Sequence, residues 1–126
     1  MSRDARTAAH IYREQAVESA SPARIVRLLL ERALRGIDRA AAADANDPRS
    51  VFVAELQRAQ DIVLELRLAI EPATAPEIAS VTDALYEFVH DQVHRAITQR
   101  SSEPARAARP VLAILHETWC RIEQTT

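Results

Sequence analysis

Four prolines stand at nearly equal intervals along the chain. Pro22, Pro48, Pro76 and Pro104 are separated by 26, 28 and 28 residues. Inside a helix proline removes a hydrogen bond, but at the first helical position its missing N–H costs nothing. Good N-capping residues precede two of them, Ser21 before Pro22 and Asp47 before Pro48. Ala75 does not cap, so Thr74 is the expected cap of the third segment, and Ser102 that of the fourth. The breaks between segments are short and polar: Asp44-Ala45-Asn46-Asp47, Glu71-Pro72-Ala73-Thr74 and Arg100-Ser101-Ser102. The pattern predicts helices near residues 22–43, 48–70, 76–99 and 104–124. At about 1.5 Å per residue each is roughly 30 Å long. Equal lengths and short connections make neighbours antiparallel. The predicted fold is therefore all-α, an antiparallel up-down-up-down four-helix bundle over residues 21–126. The four units share no residue-level similarity, which argues against a solenoid.

Two features interrupt this scheme. Pro110 falls inside the fourth segment and predicts a kink or a later start. Residues 1–20 form a short, partly helical N-terminal arm, mobile or lightly docked, in which Ala5, Ala8, Ala9, Ile11 and Tyr12 carry a weak helical pattern.

Composition narrows the function. A single glycine among 126 residues and 4% aromatics leave little for hairpins, barrels or phosphate-cradling loops. The 16 basic residues are all Arg and are interspersed with 18 acids, for a net charge of -2. No basic stripe forms, so nucleic acid is a poor partner. Cys120 is the only cysteine, which excludes an internal disulfide. The N-terminus lacks the apolar stretch of a signal peptide, and no apolar run approaches ~18 residues. A cytoplasmic protein without membrane insertion is expected.

Read at helical period, Phe52, Leu56, Ala59, Val63, Leu66 and Ile70 form one narrow core seam. Ile78, Val81, Leu85, Phe88 and Ala96 form another in the third helix, and Leu112, Leu115, Trp119 and Ile122 in the fourth. The first helix is apolar over about half its circumference, more than a bundle helix needs. Val53, Leu64 and Leu68 lie away from the second helix's seam. A thick bundle explains this surplus, and so does a groove for an apolar partner segment. Leu30, Leu34, Val53, Leu64 and Leu68 are the candidate groove residues.

Little in the chain promises catalysis. Glu87, His90 and His94 share one helix face, yet Glu-x-x-His occurs only once, and a di-iron bundle needs two copies and two further glutamates. These three residues point away from Leu85, toward solvent. Cys120 sits near a helix C-terminus, where the dipole opposes thiolate formation. Phosphate loops, zinc spacings and nucleophile elbows do not occur. No enzymatic activity, metal or cofactor is expected.

Several stretches, taken in order, resemble the flagellar secretion chaperone family FliS. They are Tyr12; Val17-Glu18-Ser19-Ala20-Ser21-Pro22; Ala59-Gln60-Asp61-Ile62-Val63-Leu64-Glu65-Leu66; Glu77-Ile78-Ala79 ahead of Leu85-Tyr86-Glu87-Phe88; and Trp119. The chain departs from the family where Leu30-Glu31-Arg32 replaces the usual Tyr-Asp-Gly, and where Asp91-Gln92 replaces an Arg pair. It resembles a divergent member. The resemblance implies a chaperone that binds the disordered C-terminal segment of flagellin in the cytosol, prevents premature polymerisation and delivers it to the export-gate protein. It also implies that the arm masks the groove and that Tyr12 docks to the gate. The alternative reading is a helical adaptor or structural protein that self-associates through the same faces, down to a weak homodimer.

Overall fold

The computed structural model describes residues 21–71 and 75–125. Four helices account for nearly all of them: α1 (Pro22–Ala42), α2 (Phe52–Leu68), α3 (Pro76–Gln99) and α4 (Glu103–Thr125). Helix α1 packs against α2 and α4, and α3 packs against the same two. The helices thus close a ring of neighbours around one core, the four-helix bundle that the spacing of the prolines predicts.

Local chemistry sets the helix boundaries. At α1 the Ser21 Oγ accepts from the Arg24 amide at 3.2 Å, and Pro22 takes the first turn as expected. Ser21→Ala should therefore lower stability by about 1 kcal/mol, read from a denaturant midpoint at unchanged helical content. The second start differs from expectation. Helix α2 begins at Phe52, and Pro48 lies in a turn before it. Asp47 closes that turn on itself, its Oδ1 accepting from the Arg49 amide at 2.8 Å, while Ser50 Oγ donates to the Asp44 carbonyl at 2.6 Å. An aspartate before a proline serves a local turn as readily as a helix cap. Helix α3 does start at Pro76, and Thr74, its expected cap, lies outside the described residues. It ends at Arg100, in the left-handed region with φ 53, where the Ser101 amide reaches back to the Ala96 carbonyl at 3.1 Å. Helix α4 begins ahead of Pro104, its Glu103 amide facing Ser101 Oγ at 3.3 Å rather than Ser102. It continues through Pro110 to Thr125, so there is no delayed start. Pro110 and Arg106 are both exposed. The carbonyl that Pro110 deprives of an amide therefore lies on the water side.

The core holds Leu30, Ile37, Phe52, Leu56, Val63, Tyr86, Val89, Val93 and Leu112, each at most 2% exposed. The seam read in α2 is buried from Phe52 to Leu66. The seam read in α3 is a correction. Ile78 is 70% exposed, Val81 62% and Phe88 42%, whereas Ala79, Tyr86, Val89, Val93 and Ala96 face the core. Only Ala96 belongs to both sets. The single glycine also has a packing reason: a Cβ at Gly36 would come within 3.0 Å of the Glu55 carbonyl oxygen, so α1 and α2 touch backbone to backbone there.

Candidate binding surface

Polar contacts fix the orientation of α3. On its α2 side, Arg67 Nε donates to Asp83 at 2.7 Å, Arg67 Nη2 donates to Glu87 at 2.8 Å, and the Gln60 amide meets His94 at 3.3 Å. At 100° per residue, positions 78, 81, 85 and 88 fall on the opposite flank, beside α4. Helix α4 is fixed the same way. Arg109 pairs with Asp38 at 2.6 Å, His116 with Glu31 at 2.9 Å, and Glu123 with Arg27, all across to α1. That leaves Ile122 (37% exposed) on the side away from α1, with Ile114 (58%) further out. Together Ile78, Val81, the half-buried Leu85 and Phe88 make an exposed apolar strip along α3, extended by these α4 isoleucines. From residue 78 to 88 it runs about 15 Å.

The groove residues named from sequence separate into two groups. Leu30 and Leu34 are 0% and 8% exposed and belong to the core, so neither is available to a partner while the bundle is closed. They account for much of the surplus apolar arc of α1 by packing alone. Val53, Leu64 and Leu68 are at the surface, 41%, 39% and 76% exposed, in one line on the outer side of α2. The Arg67–Asp83–Glu87 bridge lies between that line and the α3 strip. Tyr12 lies outside the described residues. The α3 strip was missed because its bulky side chains read as core. A second apolar line through Tyr86, Val89 and Val93 was the available signal that α3, like α2, carries a surplus.

At one end of the bundle an apolar cavity of about 320 Å³ opens between Val26, Leu66, Ile70, Ile78, Tyr86 and Trp119. Tyr86 is buried, which pushes its pKa up, with the nearby Trp119 indole opposing that shift. Both aromatics serve packing first.

The remaining polar groups stabilise the fold. Glu55 is buried between α1 and α2 and takes Arg32 at 2.6 Å and Arg39 at 3.0 Å. Burial opposes its charge, and the two guanidinium bonds outweigh that, so its pKa is lowered. His116 and Arg27 lower that of Glu31, and Arg109 that of Asp38. Depressed carboxylates contribute stability that is present above their unfolded pKa and is lost as pH falls through the folded values. Unfolding free energy should therefore hold steady at neutral pH and drop as pH falls from about 5 toward 2, a denaturant series at several pH values being the check. Glu55→Gln should flatten that fall.

Among the described residues no group of three or more His, Cys, Asp or Glu could hold a metal ion. Cys120 is half-buried, its Sγ 3.6 Å from His116 Nε2. Glu87, His90 and His94 share the polar α2-side flank of α3. No helix is long and apolar enough to cross a membrane, again among the described residues. What the surface offers is apolar contact area framed by ion pairs.

Comparison with known families gives one finding. The family model described as flagellar protein FliS matches residues 4–126, essentially the whole chain. No match is found among curated proteins.

Proposed function

The chain belongs to the FliS family of flagellar export chaperones, and from that premise we propose that it binds the disordered C-terminal segment of flagellin in the cytosol. It thereby blocks premature polymerisation and delivers the subunit to the export gate. The observation that carries this reading is the exposed apolar strip of Ile78, Val81 and Phe88. A helix that only needed to fold would place such residues inside. A disordered chain that folds on binding gains its affinity from long apolar contact and pays an ordering cost of about 2–5 kcal/mol or more. Each apolar side chain it covers returns roughly 1.5–3 kcal/mol. The balance is a moderate, reversible affinity, which suits a carrier that must release its cargo. Val53, Leu64 and Leu68 on α2 offer a second contact line, so the segment would run over both sides of α3 and cross the Arg67–Asp83–Glu87 bridge. Tyr12 is the proposed contact to the export gate.

Calorimetric titration with the C-terminal segment of the same organism's flagellin tests the reading. The expected result is one-to-one binding, micromolar or tighter, with a large negative heat-capacity change. No heat from a folded bundle would reject it and favour a helical adaptor with another partner.

A further inference from the structure

We propose that the outer face of α2 docks one helical segment of a partner protein, apolar along a single stripe and bordered on both sides of that stripe by lysine or arginine. The apolar part of the surface is the line of Val53, Leu64 and Leu68, with the exposed Gln57 between them. These positions follow one another at spacings of four, seven and four residues, the register of one helix stripe. From Val53 to Leu68 the line runs about 22 Å, the length of about four turns of a partner helix. The core side of α2 is filled by Phe52, Leu56, Val63 and Leu66, so the fold makes no use of this second line. A narrow exposed row of this kind is what the apolar side of an amphipathic helix covers.

Charge selects the occupant. Carboxylates border the line along both edges. Asp83, Glu87 and Asp91 stand at successive turns of α3 on its flank toward α2. Asp61 and Glu65 follow the far edge of the line on α2 itself. Arg67 is already committed to Asp83 and Glu87, and Arg58, beyond the far edge, is likewise engaged. Asp61 and Glu65 have no ion-pair partner among the described residues, and Asp91 has only His90 there, at 3.7 Å. The helices repeat this asymmetry on a larger scale. Helix α3 holds four acids and one arginine, while α1, diagonally across the bundle, holds two acids and five arginines. An acidic helix on the α2 line would set like charge against like, and an uncharged one would cover carboxylates without pairing them. Lysine or arginine on both borders meets them as the charged edges of a helix seam meet their partner.

The inference does not rest on the flagellin reading. A flagellin segment reaching the α2 line would compete for it, but the test uses no flagellin sequence, so its failure leaves that reading to its own titration. The probe is a labelled synthetic helical peptide of about 20 residues, with leucine along one stripe and lysine on both borders. Its counterpart carries glutamate in place of lysine. Fluorescence anisotropy with the full chain should show the lysine peptide binding at least about tenfold tighter than the glutamate peptide, and weakening as salt rises. Leu64→Ser combined with Leu68→Ser, at two exposed positions, should abolish that binding with unchanged helical circular dichroism. Asp61→Lys combined with Asp91→Lys breaks no arginine pair and should reverse the preference, so that the glutamate peptide binds tighter. Failure of the lysine peptide to bind the parent chain overturns the proposal, as does equal affinity for the two peptides. Binding that survives the loss of both leucines also overturns it, since charge alone would then be the attraction. So does a double-lysine variant that keeps the preference of the parent.

Discussion

Leu30→Ala should lower the unfolding free energy by about 2–5 kcal/mol, while Leu68→Ala should change it by less than about 0.5 kcal/mol. Both are leucines from the apolar surplus, and nothing in their local sequence separates them. The difference is position. Leu30 is 0% exposed, in a core with Ile37, Leu56 and Leu112, so its removal leaves a cavity that the bundle can only partly close. Leu68 is 76% exposed at the C-terminal end of α2 and has little burial to lose. Chemical denaturation of both variants decides the assignment. Equal, small losses would return Leu30 to the surface and restore it as a partner contact.

The second large effect concerns binding. Val81→Asp combined with Phe88→Asp should weaken flagellin binding at least about 100-fold, with folding unaffected. Two apolar contacts disappear, and two carboxylates would have to be stripped of water beneath an apolar segment. One hundred-fold is about 2.7 kcal/mol, less than the two side chains contribute if fully covered. Leu64→Asp with Leu68→Asp tests the α2 line in the same titration. If only the α3 pair matters, the segment stays on one side of the Arg67–Asp83–Glu87 bridge. Unchanged affinity in both variants would leave neither surface as the binding site.

Legibility followed the kind of signal each residue carries. Ser21-Pro22 marks a helix start because a capping hydroxyl and a fixed φ agree with the apolar pattern that follows, and the start is where that pair puts it. Asp47-Pro48 carries the same two signals, but the Asp47 carboxylate has the Arg49 amide as a nearer partner, and α2 begins four residues later. The bundle tolerates the error, since the core seam begins only at Phe52. Helix α3 shows the limit of periodicity. Its apolar residues fall on two lines about a quarter-turn apart, and either line alone reads as a core seam. The structure buries the one with alanines, valines and Tyr86, because small residues let α2 and α4 approach closely, and leaves the bulkier one in water. Leu30 and Leu34 lie in the core for a related reason. A wide apolar arc on α1 signals contact with neighbours on both sides, and α1 meets both α2 and α4.

The contacts between α1 and α4 join residues far apart in the chain: Arg27 to Glu123, Glu31 to His116 and Asp38 to Arg109. The other seams join helices that follow one another. During synthesis α1, α2 and α3 can associate by short steps, yet Leu30 and Ile37 gain the cover of Leu112 only when the last helix leaves the ribosome. The protein thus passes through a stage in which the α1 face of its core is open. Helix α4 closes that gap, so the apolar arc of α1 is covered on both sides only once α4 has been made.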